Sequence, residues 1–221
     1  MTTVRLKDHR SPIRVGKIMC LGRNYRAHAA EMKAEVPESP VVFFKPSTAL
    51  LTSGSTIIAP KISHELHHEV ELVVMIGKEG RNIPRERAFD HVAGYGVGLD
   101  MTLRDVQAEA KKKGLPWAIA KGFDTSAPVS DFSPREAVKD PQDLEMSLAV
   151  NGVLRQHCNT REMIFPIDLT VAFLSSVFTL ESGDLIFTGT PEGVGAVIPG
   201  DHLHAVLESV GFLDVDVDAE E

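Results

Sequence analysis

The chain has 221 residues, enough for one sizeable domain with its own core. Its composition, 43% hydrophobic and 24% charged, is that of a soluble globular protein. The 23 basic and 31 acidic side chains leave a net charge of -8, which argues against a nucleic-acid partner, because phosphate backbones are bound by basic surfaces.

In chain order, residues 1–15 are polar and read as an N-terminal extension, lying over the surface or forming an edge strand. The remainder, 16–221, reads as a single catalytic domain. Lys17-Ile-Met-Cys-Leu-Gly22 is a short buried strand, and Asn24 to Met32, rich in Ala, Glu and Arg, is a short helix or a partly ordered lid. Val41–Phe44 and Ser55–Ala59 are further strands. His67-His-Glu-Val-Glu-Leu-Val-Val-Met-Ile-Gly77 is apolar on both faces around its two glutamates, as an interior strand is. Pro84 opens a helix through His91. Val92–Asp100 is a strand whose glycines at 94, 96 and 98 share one face and admit a close neighbour. Thr102 to Lys113 is a helix, with Thr102 as N-cap and Gly114 as stop. Asn151-Gly152 joins two strands in a hairpin. Ile167–Phe178 is an apolar helix, Asp184–Phe187 a strand, and two last strands flank Gly211. The acidic tail Asp214–Glu221 reads as a solvated or frayed end. Strands outnumber helices and do not alternate with them regularly, so the fold class is α+β and mainly β.

Cys20 and Cys158 are too sparse for a disulfide framework and read as reduced thiols. No apolar run approaches a membrane span, and the first ten residues hold no apolar signal core. A cytoplasmic protein without a membrane partner is expected.

Glu69 and Glu71 carry the first chemical signal. Residues i and i+2 of a strand share a face, so the two carboxylates project together inside an apolar run. Two ionised carboxylates in a dry setting need positive compensation, and a hard divalent cation supplies it; a solvent-facing edge is the alternative setting for the pair. Asp100, an acid at the end of the glycine-rich strand, is a candidate third ligand; alone it also reads as an acid before a helix. A zinc site using His67 is a weaker alternative, because H-x-E-x-E lacks the spacing of zinc-binding helices. His28 and Glu31 are three apart and adjacent if helical, which on spacing alone reads either as a surface contact or as an imidazole oriented by a carboxylate as general base. Asp100, Arg104 and Gln107 line one helix face, where Arg104 and Gln107 suit a carboxylate and a keto oxygen. Lys121 and Lys45, among apolar neighbours, are either snorkelling or poised beside developing negative charge. Lys111-Lys-Lys113 reads as a solvated face. Thr190, in a glycine-rich loop without the lysine of a phosphate loop, suits a small carboxylate.

Six segments then match together and in order: Gly22-Arg-Asn-Tyr25, Phe43-Phe-Lys-Pro46, His67-His-Glu-Val-Glu71, Leu99-Asp-Met-Thr-Leu-Arg-Asp-Val-Gln107, Lys113-Gly-Leu-Pro-Trp117 and Thr188-Gly-Thr-Pro-Glu-Gly-Val-Gly195. The chain resembles the fumarylacetoacetate hydrolase family, specifically its short branch of acylpyruvases and oxaloacetate decarboxylases. The resemblance implies a mixed β-roll or sandwich that is commonly a homodimer. It implies Mg²⁺ or Mn²⁺ on Glu69, Glu71 and Asp100, and His28 with Glu31 as the water-activating pair. Lys121 is expected beside the substrate oxygens, with Arg23, Lys45, Arg104, Gln107 and Thr190 in substrate binding. The implied substrate is a 2-oxo acid with a second carbonyl or carboxylate one carbon beyond its methylene, and the implied reaction is acylpyruvate hydrolysis or oxaloacetate decarboxylation. Isomerisation of a hydroxy-diene diacid and a non-catalytic dicarboxylate-binding module are the alternatives. Departures from the family pattern fall in loops 33–40, 78–86 and 156–166.

Overall fold

Val70–Ile76 is apolar on both sides because both sides are buried. In the computed structural model, which describes residues 2–32 and 35–221, this strand lies in the middle of a large mixed sheet. Leu185–Phe187 and Val92–Leu99 flank it, both antiparallel. Ile18–Gly22 and Val41–Lys45 continue the sheet on one side, and Ala127–Val129 and Leu50–Thr52 on the other. A second sheet runs Val153–Asn159, Glu145–Val150, His202–Leu207, Gly211–Ala219, Thr56–Ala59. Alternation divides the core between the two faces of the central strand. Val70, Leu72, Val74 and Ile76 join the larger cluster, which includes Met146, Leu203 and Leu213 of the second sheet. Val73 and Met75 face the other way, into a cluster with Phe132 and Phe187. Glu71 lies on that second face, in step with Val73. The mainly β, α+β architecture expected from the sequence is therefore found. No helix among the described residues is long and apolar enough to cross a membrane.

The run at 67–77 is not one strand. It breaks at Glu69: Leu66–His68 belongs to a small sheet with Thr102–Leu103 and Gly195–Val197, and Val70 begins the large one. Its antiparallel partner breaks at the same level. Val70 pairs Leu99 and His67 pairs Thr102, so the two interruptions, Glu69 and Asp100, face each other. There Asp100 N donates to Glu69 O at 2.8 Å. Thr102 is consequently a strand residue and not the expected N-cap; the helix is Arg104–Lys113, ended as expected by Gly114 at φ 65°. Pro84 introduces a 3₁₀ helix, Arg85–His91, and not an α-helix, with Arg87 N bonding back to Pro84 O. The acidic tail is no frayed end. Leu213, Val215 and Val217 point into the core while the aspartates alternate outward, so Gly211–Ala219 is a paired strand. The first residues form a small antiparallel pair, Thr3–Val4 with Ile13–Arg14, which buries Val4 and Val15. Met1 of the expected extension, and residues 33 and 34 of the loop 33–40, lie outside the described residues.

Candidate active site

The facing breaks deliver the site. Glu69 and Asp100 sit at them, Glu71 is two residues beyond Glu69, and one carboxylate oxygen from each lies within 4.8 Å of the others. All three are buried, Glu71 to 1% exposure. Lys121, in the short helix Ala118–Gly122, bridges two of them, with Nζ 2.8 Å from Glu69 Oε2 and 2.6 Å from Asp100 Oδ2. Arg104 Nη2 adds an ion pair to Glu69 Oε1. Burial alone would raise the Glu69 pKa, but Lys121 and Arg104 outweigh it and hold the carboxyl far below its ordinary value. The same carboxylates raise Lys121, against its own desolvation.

Glu71 is the exception. It has no cationic partner among the described residues, and its one recorded bond is accepted from Gly189 N at 2.6 Å. Burial, then Asp100, then Glu69 push its carboxyl well above the ordinary range. A buried carboxylate with two acidic neighbours and no cation is what a divalent ion corrects. The all-oxygen donor set suits Mg²⁺ or Mn²⁺, so the residues fit the group that the sequence implies. Gly189 has φ 94°, and a Cβ there would come within 2.6 Å of Asn24 Cβ, so the amide that meets Glu71 depends on glycine.

The cavity above the triad has a volume of about 320 Å³. Its floor holds Glu69, Glu71, Asp100, Lys121 and Thr190, and its wall includes His28, Arg104, Gln107, Arg23 and Trp117. His28 is on the helix Arg26–Glu31, as expected, with Nδ1 3.2 Å from Glu31 Oε2. Glu31 is itself fixed, since Oε1 accepts from Gly193 N at 3.0 Å. Asn24, just before the helix, is fully buried and bonded to the backbone of Phe165 and Thr188, which anchors this entry. Arg104 Nη1 donates to Gln107 Oε1 at 2.8 Å.

Lys45 departs from its expected role. It is fully buried, does not line the cavity, and sits behind Asp100 with Nζ 2.8 Å from Oδ1. Its other bonds go to the carbonyls of Met101 and Lys121. Lys45 thus holds Asp100 and the backbone beside Lys121 from outside the cavity lining. His67 does not join the cluster of Glu69, Glu71 and Asp100. Its Nδ1 accepts from Arg104 Nε at 3.4 Å, and burial, then Arg104, lower its pKa to about 4.

Residues 17–218 match the family described as fumarylacetoacetate (FAA) hydrolase C-terminal. The chain belongs to the fumarylacetoacetate hydrolase family. Within it, the chain is 48% identical over 204 residues to the mitochondrial oxaloacetate tautomerase of Homo sapiens, covering 92% of each. The structure of fumarylpyruvate hydrolase from Pseudomonas aeruginosa, in complex with Mn²⁺ and pyruvate, superposes with a TM-score of 0.93 at 41% identity, over 100% of this chain and 97% of that one. The 2-hydroxyhepta-2,4-diene-1,7-dioate isomerase of Mycobacterium marinum gives 0.84 at 37%, over 95% and 77%. The family thus spans hydrolase and isomerase chemistry, and family membership alone leaves the reaction of this member open.

Sequence reading missed two residues that line the cavity and one that braces it from behind. Gln156, in the strand Val153–Asn159 and not in a loop, is buried and donates to Thr190 Oγ1 at 2.9 Å. Its amide oxygen accepts from Val70 N at 3.0 Å and faces His68 Nδ1 at 2.9 Å. Trp117 and Lys111 line the cavity, and Lys111 is at the same time exposed, in keeping with the solvated face expected for 111–113. Helical spacing from Arg104 to Gln107 to Lys111 was the available signal for the last.

Proposed function

We propose that the protein is a Mg²⁺- or Mn²⁺-dependent enzyme that hydrolyses acylpyruvates to pyruvate and a carboxylic acid. The observation that carries this is that His28, held by Glu31 from outside the cavity, lines the same cavity as the carboxylate triad. Glu69, Glu71 and Asp100 would hold the ion, which supplies a Lewis acid for negative charge on the 2-oxo oxygen. Arg104 and Gln107 orient the substrate carboxylate with Thr190 opposite. Glu31 holds His28 Nδ1, which leaves Nε2 to take a proton from water. That water attacks the distal carbonyl carbon. The C–C bond breaks, its electron pair stays on the pyruvate fragment as an enolate, and Lys121 lies beside the forming oxyanion.

A second reading has specific support. The 48% identical relative is named an oxaloacetate tautomerase, and its match covers almost the whole chain. Tautomerisation needs the same enolate and no attacking water; His28 would then carry the proton between C3 and solvent. Decarboxylation of oxaloacetate also passes through that enolate without the water.

Acetylpyruvate, fumarylpyruvate and both tautomers of oxaloacetate, each assayed with and without Mg²⁺ or Mn²⁺ and with products identified, separate these reactions. His28→Ala is expected to lower kcat for acylpyruvate hydrolysis by about 10²–10⁴-fold, the usual worth of a general base. Glu31→Gln is expected to fall between that variant and the wild type. Acetylpyruvate cleavage that survives His28→Ala would remove the assigned base.

A further inference from the structure

Each carboxylate of the triad is held on one oxygen by a different partner. Glu71 Oε2 accepts from Gly189 N at 2.6 Å, and Glu69 Oε1 is paired with Arg104. On Asp100 the holder is Lys45, whose Nζ lies 2.8 Å from Oδ1. The other oxygens of Glu69 and Asp100, Oε2 and Oδ2, both meet Lys121, which lines the cavity.

Lys45 is the most deeply set of these holders. It ends the strand Val41–Lys45, and its side chain is fully buried and outside the cavity lining. An ammonium has three N–H donors. Two of those of Lys45 go to the carbonyls of Met101, at 3.1 Å, and Lys121. Asp100 Oδ1 is its one anionic partner among the described residues. The carbonyls fix the ammonium, and the ammonium fixes one side of the carboxylate. Swinging Oδ1 toward an ion would leave a buried ammonium without its counter-charge, which a protein interior penalises heavily.

That restraint bears on which ion fits. Ca²⁺ gathers about six to eight oxygens and often takes both oxygens of a carboxylate. Mg²⁺ demands a near-octahedral shell and fills it with single carboxylate oxygens and water, and Mn²⁺ suits the same all-oxygen octahedron. With one oxygen of each acid committed elsewhere, the triad offers one oxygen per residue. We propose that these holders, Lys45 above all, set the ion preference of the triad, favouring Mg²⁺ and Mn²⁺ over Ca²⁺ by denying it two-oxygen ligation. Lys45 is then a positioning residue, acting on the ion through Asp100. This rests on the metal-centre reading of the triad.

The test is calorimetric titration of the chelator-stripped protein with Mn²⁺ and with Ca²⁺, which needs no substrate. The wild type is expected to bind Mn²⁺ at least about tenfold more tightly than Ca²⁺. Lys45→Met keeps the length of the side chain and removes the ammonium. It is expected to shrink the Mn²⁺-to-Ca²⁺ ratio by about tenfold, the scale of one charge-assisted contact. A lysine that served only the fold, or only the net charge of the site, would shift both affinities together and leave the ratio as it was. Arg104→Met frees Glu69 Oε1 and is expected to move the ratio the same way, so it decides the matter if Lys45→Met does not fold. Equal binding of the two ions by the wild type, or an unchanged ratio in the folded variants, overturns the proposal. Binding of neither ion would remove the metal centre and the proposal together. A site that shows the expected ratios and cleaves no acylpyruvate would remove only the hydrolase reading and leave the selectivity standing.

Discussion

At the scale of single residues, Gln156 does more for the site than its surface chemistry suggests. Its amide oxygen takes Val70 N–H at the start of the central strand, next to Glu69 and Glu71, and its amide nitrogen fixes Thr190 and the carbonyl of Pro191. One side chain thus ties the metal-ligand strand to the glycine-rich loop. Gln156→Leu keeps much of the volume and strips the polar atoms, leaving Val70 N–H and the His68 ring without an acceptor. A loss of about 1–3 kcal/mol for each buried group left unpaired is expected in urea unfolding. Because Thr190 loses its donor, KM is expected to rise as well; a variant of wild-type stability and KM would show the network to be dispensable. Gln156 was invisible in the sequence because its partners lie 34 to 88 residues away. Lys45 illustrates the same limit from the other side. Its apolar flanks announced a buried lysine, but whether it faced substrate or the back of Asp100 depended on where Met101 and Lys121 fold.

At the scale of elements, the ribbon formed by Leu66–Ile76 and Val92–Leu103 is the scaffold of the triad, and its glycines set how tightly it is held. Gly98 pairs with Glu71, and a Cβ at Gly98 would lie 2.7 Å from Val73 Cγ2 and 2.8 Å from Phe187 Cε1. Gly98→Ala is expected to cost about 1–3 kcal/mol through overpacking. Since the strand must move at the level of a ligand, weaker Mn²⁺ affinity should accompany the lower stability; stability lost with affinity intact would mean that the ribbon yields elsewhere. Much of this scaffold was legible. Glycines at 94, 96 and 98 signalled a close neighbour, and the carboxylates at 69 and 71 signalled a shared pocket. The break at Glu69 was not, because an apolar run looks the same in one sheet or two, and the change of sheet is set by the distant pairings of His67 with Thr102 and Ala196. The two strands about Gly211 were legible, but the length of the last one was not: Asp-Val-Asp-Val-Asp has period two, and its charge hid the strand as far as Ala219. That strand carries its own pH signature. His202 Nδ1 lies 2.8 Å from Asp216 Oδ1 across the ladder, and this bond, outweighing desolvation, raises the imidazole pKa with help from Asp214. A raised folded-state pKa means that the pairing contributes fully below the ordinary value of 6.5 and is lost as pH rises through the raised one. NMR titration is expected to place His202 above that ordinary value, and Asp216→Asn to bring it back down; an unmoved midpoint in the variant would assign the shift elsewhere.

At the scale of the whole molecule, the triad couples folding to the metal. Both faces of the central strand are core, so Glu71 is buried by the same packing that holds the two sheets together. The fold therefore carries a carboxyl that burial, then Asp100 and Glu69, push well above its ordinary 4.5. By linkage, the stability associated with the protonated form is fully present below pH 4.5 and drains away as pH rises through the raised folded value. A cation bound by the native triad reverses that trend, because it favours the ionised carboxylate and is absent from the unfolded chain. At a metal concentration one hundred times Kd the gain is about 2.7 kcal/mol, or roughly 5–10 °C in Tm for a chain of this length. Thermal unfolding with Mn²⁺, with Mg²⁺ and with a chelator is expected to show that shift in the wild type. Glu71→Gln removes the ionisable group while keeping its shape and its acceptor for Gly189 N–H. It is expected to melt above the chelated wild type near neutral pH, to converge with it in acid, and to gain little from either metal. A variant that melted lower at neutral pH and still rose with Mn²⁺ would mean that the buried charge is compensated by Lys121 and Arg104 alone, and that the three carboxylates are a structural ion network and not a metal centre.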